Sequence, residues 1–127
     1  MGTGQHAAAH KAPHAQRVLV AFGALLLAAS VALAAYAAHG IEGEARSQLQ
    51  TAAAFAFGHG LALAALVPLA HSNLKRAVLF VLLAGTLLFC GGVVVVTLFG
   101  ISLGVAPFGG TLLIAGWLGW AVLALRG

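Results

Sequence analysis

The sequence predicts an all-α integral membrane protein, a bundle of four transmembrane helices with both termini on the cytoplasmic side. Its 127 residues are 62% hydrophobic and only 6% charged, whereas soluble globular proteins carry about 25% charged residues. A chain of this composition cannot cover its surface with polar groups, so a lipid bilayer is its expected solvent. The apolar runs are continuous and do not alternate with polar residues, which argues against membrane strands.

Four segments are long enough to cross a hydrocarbon core of about 30 Å, which takes about 20 apolar residues in a helix. They cover approximately residues 18–38, 51–70, 77–99 and 109–125. The length of the chain suits a single domain.

The N-terminal segment is rich in alanine and histidine. We expect residues 1–16 to form a disordered tail and residues 17–127 to form the transmembrane domain. His6, His10 and His14 recur every four residues, so on a helix they would share a face and could bind a metal weakly. Pro13 interrupts such a helix, which favours the disordered tail.

The segments between the spans carry turn and capping signals. HGIEGEARSQLQ contains both acidic residues, and its Ser47 and Gln50 form a capping-box pattern, which predicts that the second helix starts near Ser47. HSNLKR, residues 71–76, is a short polar turn. GISLGVAPFGG, residues 100–110, is glycine-rich and uncharged, so we expect it at the membrane interface or dipping slightly into the membrane.

The basic residues are divided unequally between the two sides of the membrane. Four spans put both termini and HSNLKR on one side, together with five of the six basic residues: Lys11, Arg17, Lys75, Arg76 and Arg126. The other side has Arg46, offset by Glu42 and Glu44. The positive-inside rule then predicts cytoplasmic termini in the cell inner (plasma) membrane. Because the basic residues flank the spans and form no basic face, we expect no nucleic-acid partner.

A cleaved signal peptide is the alternative interpretation of the first span. Basic residues precede its apolar run, and an Ala-x-Ala pattern occurs at residues 35–37. The run is rather long for a signal peptide, so we expect it to remain as a membrane span.

Small residues predict how the helices pack, because helices in lipid approach closely where side chains are small. The second span has four small residues at four-residue spacing on one face: Ala52, Ala56, Gly60 and Ala64. We expect this face to pack within the bundle. A homo-oligomer seam or a docking face for another membrane protein is the alternative.

His59 lies near the middle of the second span, where a polar group must find a hydrogen-bond partner. It shares a helix face with Thr51 and Phe55, and we expect it to face the bundle interior and to bond across helices. Such a histidine can simply join helices. It can also transfer protons, ligate a metal or haem, or contact a substrate.

Three further polar residues are candidates for a functional or interhelical role. His39 ends the first span and is followed by Gly40, which suits a helix C-cap. Tyr36 suits a membrane interface. Cys90 is the only cysteine and is expected to behave as a small hydrophobe. A site that combines His59 with His39 or Cys90 lacks an obvious third ligand, so we predict no metal and no cofactor.

Three blocks of the chain occur together, in the same order, in a known family. They are AAYAAHGIEG, QTAAAFAFGHGLAL and residues 85–117, which close with PFGGTLLIAGW. On these blocks the chain resembles the domain-of-unknown-function family 423 over about residues 17–125. These are small bacterial inner-membrane proteins related to the eukaryotic transmembrane protein 256. The resemblance implies four helices and a membrane location, and it implies no established activity. Where the family often has Ser-Gly-Ser, this chain has CGG at residues 90–92, which removes polar groups that would face His59.

The sequence contains no catalytic constellation. There is no nucleotide-binding loop, no HExxH and no Ser/His/Asp set, and no acidic residue lies within a span. We therefore predict a non-enzymatic membrane protein, an accessory or interaction subunit that packs against another membrane protein or against itself. One alternative is an oligomeric transporter or channel with His59 lining the path. The other is a haem- or metal-binding redox module that uses His59 with His39 or Cys90.

Overall fold

The protein folds into membrane-length helices joined by short connections. The computed structural model describes residues 13–127, and over this range the α-helices are α1 (His14–His39), α2 (Gly43–Leu66), α3 (Asn73–Phe99) and α4 (Ala106–Arg126). A 3-10 turn, Val67–Leu69, extends α2. Each of the four, with α2 counted through Leu69, is long and apolar enough to cross a bilayer. The predicted all-α membrane fold with four spanning helices is confirmed.

The four helices form two closely packed hairpins, α1–α2 and α3–α4, which pack against each other. α1 packs on α2, α4 packs on α3, and the hairpins join mainly through α2 and α3. The core lies where the first three helices meet, and its largest fully buried apolar side chains are Leu19, Leu49, Leu63, Leu79, Leu82 and Val67. Because α4 has one principal partner, much of its surface remains exposed, and a groove separates it from α2.

Paired glycines set the closest approach in both hairpins. Gly23 of α1 faces Gly60 of α2, where an added Cβ would lie 2.7 Å from the Gly23 carbonyl oxygen. In the other hairpin Gly85 faces Gly109, where an added Cβ would lie 2.7 Å from the Gly85 carbonyl oxygen. Both contacts are backbone to backbone, so neither site has room for a methyl group.

The small-residue stripe of α2 is occupied by packing within the chain. Ala52, Ala56 and Gly60 are buried, and Ala64 is half-buried. At its Gly60 end the stripe borders α1, because a Cβ on Gly23 would lie 3.4 Å from the backbone nitrogen of Ala64.

The first helix begins earlier than predicted. Residues 14–16 belong to α1 and not to a disordered tail, because Pro13 stands at the N-cap, where its missing N–H costs nothing. Gln16 donates to the carbonyl oxygen of Ala70 at 3.0 Å and so ties the start of α1 to the turn before α3. The rest of the predicted tail, with His6 and His10, lies outside the described residues.

The second helix also begins about one turn early, at Gly43 and not near Ser47. The predicted capping box is therefore unused, and Ser47 lies inside the helix. Gly43 has φ +70, a conformation that glycine adopts without strain. Arg46 donates to the carbonyl oxygens of Ile41 at 2.9 Å and Ala38 at 3.4 Å. These bonds close the connection between α1 and α2.

The two remaining connections are shorter than the sequence suggested. Ser72 caps α3 by accepting a hydrogen bond from the Lys75 backbone N–H at 3.1 Å, so residues 73–76 are helical. Pro68 lacks the N–H that would continue α2, and the chain tightens into the 3-10 turn there. α4 begins at Ala106 with Pro107 in its first turn, so only residues 100–105 connect it to α3.

The glycine contact between α1 and α2 predicts a difference between two neighbouring substitutions. Gly60→Ala should lower the free energy of unfolding by about 1–3 kcal/mol, because the added methyl group overpacks a backbone contact. Gly58→Ala is the matched control, since a Cβ at Gly58 meets nothing within 4 Å. It should leave stability unchanged or raise it slightly. Thermal unfolding in detergent, followed by far-ultraviolet circular dichroism, compares the two, and equal losses would contradict the assigned contact.

Candidate functional site

His59 lies in α2 on the wall of the groove that faces α4, and both of its ring nitrogens are hydrogen-bonded. Nδ1 lies 2.9 Å from the carbonyl oxygen of Phe55, one turn earlier in the helix. Trp117 Nε1 donates to Nε2 across a distance of 3.0 Å. An indole N–H can only donate, so Nε2 accepts and Nδ1 carries the ring proton. His59 is therefore a neutral imidazole in this arrangement.

Aromatic rings extend this contact over three helices. Phe55 stacks on His59 with centroids 5.8 Å apart and planes 8° apart, and Trp117 lies on its other side with centroids 5.9 Å apart. Phe89 of α3 packs on Phe55 with centroids 4.6 Å apart. The cluster thus joins α2, α3 and α4 at one level of the membrane.

The cluster lines a groove of about 550 Å³, which we call the aromatic groove. Its principal lining residues are Phe55, His59, Phe89, Ile114, Trp117 and Leu118. Ile114 and Leu118 are 66% and 64% exposed, so the groove opens sideways toward lipid. Trp117 lies eleven residues after Ala106, which is about 16 Å along α4 and near mid-membrane. Among residues 13–127 the lining of the groove offers apolar surface and no charged group.

The expected surroundings of His59 need a correction. The cross-helix hydrogen bond is present, but His59 is half-buried at a groove and does not face a sealed bundle interior. The reason is that α4 packs on α3 and leaves the facing surface of α2 uncovered.

Trp117 is the functional candidate that the sequence interpretation missed. An indole N–H deep in a span needs an acceptor as much as a histidine needs a partner. The rule that a polar group in hydrocarbon needs a partner applies to both His59 and Trp117, and it would have suggested that the two side chains pair. It would not have shown which helices are adjacent.

Three predicted candidates lie away from this groove. His39 is exposed at the end of α1, about 24 Å by helix rise from the level of His59, which lies sixteen residues after Gly43. Tyr36 is also exposed, and its ring fills the space where a Gly40 side chain would lie. The hydroxyl of Thr51 donates to a backbone carbonyl of its own helix at 3.1 Å.

Cys90 is buried between helices and does not line the aromatic groove. Its Sγ lies 3.4 Å from the carbonyl oxygen of Ala52 and donates to it, which links α3 to α2. Within residues 13–127 no three His, Cys, Asp or Glu side chains come together in a way that could hold a metal ion.

A second polar contact joins α2 to α3 near the end opposite the termini. The Thr97 hydroxyl donates to Gln48 Oε1 at 2.8 Å, and Gln48 Nε2 donates to Glu44 at 3.4 Å. In the described part of the chain no buried side-chain nitrogen or oxygen lacks a hydrogen-bond partner. Some of these bonds join helices, as those of Thr97 and Cys90 do, and others return to the same helix, as those of Ser30 and Thr86 do.

The comparisons with known proteins give one result. The model of a family described as "Protein of unknown function (DUF423)" matches residues 33–110, a segment that contains His39, His59 and Phe89. No curated protein and no solved structure matches the chain. Since the matched segment is more than half of the 127 residues, the chain belongs to the DUF423 family.

Proposed function

We propose that this multi-pass protein of the inner (plasma) membrane is a non-enzymatic accessory subunit, and that it docks a transmembrane helix of another membrane protein in the aromatic groove. The observation that supports this proposal best is the pairing of the groove's polar atoms with each other. Trp117 donates to His59, and His59 bonds its own helix. What remains for a partner is apolar and aromatic surface.

The hydrogen bonds of His59 favour binding over reaction. A metal, haem iron or proton would need the Nε2 lone pair, which already accepts the Trp117 N–H. Freeing that lone pair would leave the indole N–H without an acceptor in hydrocarbon. The Cys90 thiol, the other candidate for redox chemistry, lies outside the groove and bonds a backbone carbonyl.

The lining of the aromatic groove favours a helix over a transported solute. Apart from His59 and Trp117 it consists of phenylalanine, leucine, isoleucine and glycine, which form no polar path. Aromatic side chains dominate the energetics of many protein interfaces. The exposed Ile114 and Leu118 of α4 extend the apolar surface beside them. This surface suits a row of apolar side chains from a neighbouring helix.

We further propose that both termini are cytoplasmic. The hydrogen bond from Gln16 to Ala70 and the up-and-down order of the helices gather Arg17, Lys75, Arg76 and Arg126 at one end. The opposite end has Arg46 with both glutamates. The positive-inside rule assigns the more basic end to the cytoplasm.

Photocrosslinking in native membranes tests the docking role. With p-benzoylphenylalanine at Ile114, an exposed residue of the groove wall, we expect a discrete adduct with one other membrane protein. The same probe at Leu25, which is 62% exposed on α1, should give no such adduct. Native mass spectrometry after gentle extraction should show a complex whose mass is that of the 12.7 kDa chain plus that of the partner.

Three outcomes would contradict the docking role. Lipid adducts alone, or the same proteins at both positions, would remove the evidence for a specific partner. A mass equal to two copies of the chain would assign the groove to self-association.

The structural role of His59 is tested by a double-mutant cycle. Trp117→Phe keeps an aromatic ring and removes the donor, so we expect it to lower the free energy of unfolding by about 0.6–1.7 kcal/mol, the range for hydrogen bonds between membrane helices. In a His59→Leu background the same substitution should have a smaller effect, because only the loss of indole surface remains. Trp120→Phe, at a site that packs on the core, shows the effect of losing indole surface alone. Equal losses for Trp117→Phe in both backgrounds would show that the pair is not coupled.

Labelling of single cysteines tests the orientation. In a Cys90→Ser background, Ser102→Cys and His71→Cys place thiols at exposed sites at opposite ends of α3. A membrane-impermeant maleimide should label Ser102→Cys in intact spheroplasts, and His71→Cys only after the membrane is permeabilised. The reverse pattern would place the termini outside the cytoplasm.

A further inference from the structure

A second groove lies between the start of α3 and the end of α4. It combines apolar walls with a basic rim. Its volume is about 340 Å³. The walls are formed by Leu74, Val78, Leu118, Val122 and Leu123. Arg126, in the last turn of α4, lies at its end, and we call this feature the basic groove.

The basic groove is open because Gly119 of α4, which has no side chain, lies where α4 meets α3. A Cβ on Gly119 would lie 3.5 Å from Val78 Cγ2, an ordinary contact. A larger side chain would therefore occupy the groove without disturbing the backbone. From Leu118 to Arg126 the groove runs eight residues along α4, which is about 12 Å. One leaflet of the hydrocarbon core is about 15 Å thick, so the groove spans most of the depth available to an acyl chain.

The charges at this end are complementary to an anion. Arg126 at the rim and Lys75, next to Leu74 in α3, are cationic. Both acidic residues of the chain, Glu42 and Glu44, belong to the opposite end. Arg76 is already engaged, since it donates to the Ala70 carbonyl oxygen and to Asn73.

We propose that the basic groove binds one anionic phospholipid, with an acyl chain along α3 and α4 and the phosphate at Arg126. Apolar walls of acyl-chain length, a cationic rim and the absence of acidic side chains at this end of the chain are what such a lipid requires. Basic pockets between membrane helices bind anionic head groups in this way on the cytoplasmic side. The lipid site and the proposed function have one element in common, the cytoplasmic position of the termini. The docking role uses the other groove.

The test is a lipid titration of the purified full-length chain in detergent, followed by native mass spectrometry. Phosphatidylglycerol and phosphatidylcholine with identical acyl chains are the probes. We expect tighter binding of phosphatidylglycerol, and Arg126→Gln should weaken it about fivefold while phosphatidylcholine binding is unchanged. Lys11→Gln, which also removes one positive charge but leaves the residues that line the groove unchanged, should have no effect. Inorganic phosphate at the same concentration should not displace the lipid.

Two further variants test the apolar walls. Gly119→Leu fills the groove and should weaken the binding of both lipids. If circular dichroism shows that this variant does not fold, Val122→Trp serves instead, because Val122 is 53% exposed and tolerates a larger side chain. Arg17→Gln is not a suitable control, since Arg17 lines an apolar groove of its own between α1 and the end of α2.

The results would separate this proposal from the others. Equal binding of the two lipids by the unmodified chain, or equal effects of Arg126→Gln and Lys11→Gln, would overturn the lipid site. Neither result would bear on the photocrosslinks at Ile114. Cysteine labelling in the reverse pattern would overturn the orientation and would leave lipid binding in detergent as it is.

Discussion

The close backbone contacts between paired glycines determine the rest of the architecture. In lipid, burying leucine against leucine gains little, so helices associate where their backbones approach. Gly23 with Gly60 makes one hairpin, and Gly85 with Gly109 makes the other. α4 turns its glycine face to α3 and makes few contacts with α2. The gap that results is the aromatic groove.

That gap explains why a histidine is tolerated in mid-membrane. The imidazole of His59 and the indole N–H of Trp117 face each other across this gap. Hydrocarbon offers neither group a hydrogen-bond partner, and they form a hydrogen bond with each other. Stacking with Phe55 and the Phe55–Phe89 contact hold the ring in place. The pair is thus a polar bridge between hairpins whose other contacts are mainly apolar. Removing Trp117 would leave Nε2 of His59 without a donor, and removing His59 would leave the indole N–H of Trp117 without its acceptor.

Sequence reasoning predicted the spans well because hydropathy is a property of each segment by itself. It failed at helix starts, where local patterns compete with bonds made elsewhere. Ser47 and Gln50 form a valid capping pattern, yet α2 begins at Gly43, where Arg46 closes the preceding turn with its guanidinium. The sequence could not identify the hydrogen-bond partner of His59 for a different reason. Trp117 is 58 residues away, and nothing local indicates which face of α4 is turned toward α2.

The two grooves beside α4 are chemically different, and each suits one of the two roles proposed for this helix. On one side the aromatic groove has no charge and lies near mid-membrane, at a depth reached by the side chains of another helix. On the other side the basic groove ends at Arg126, at the level of lipid head groups. Only Leu118 lines both. A lipid in the basic groove would therefore cover the apolar surface of α4 that faces away from the partner. It would hold α4 against α3 while the aromatic groove stays open. In this arrangement the lipid and the protein partner would both contact Leu118 and would otherwise use different described residues. α4, which has the fewest contacts of the four described helices, would be supported from both sides.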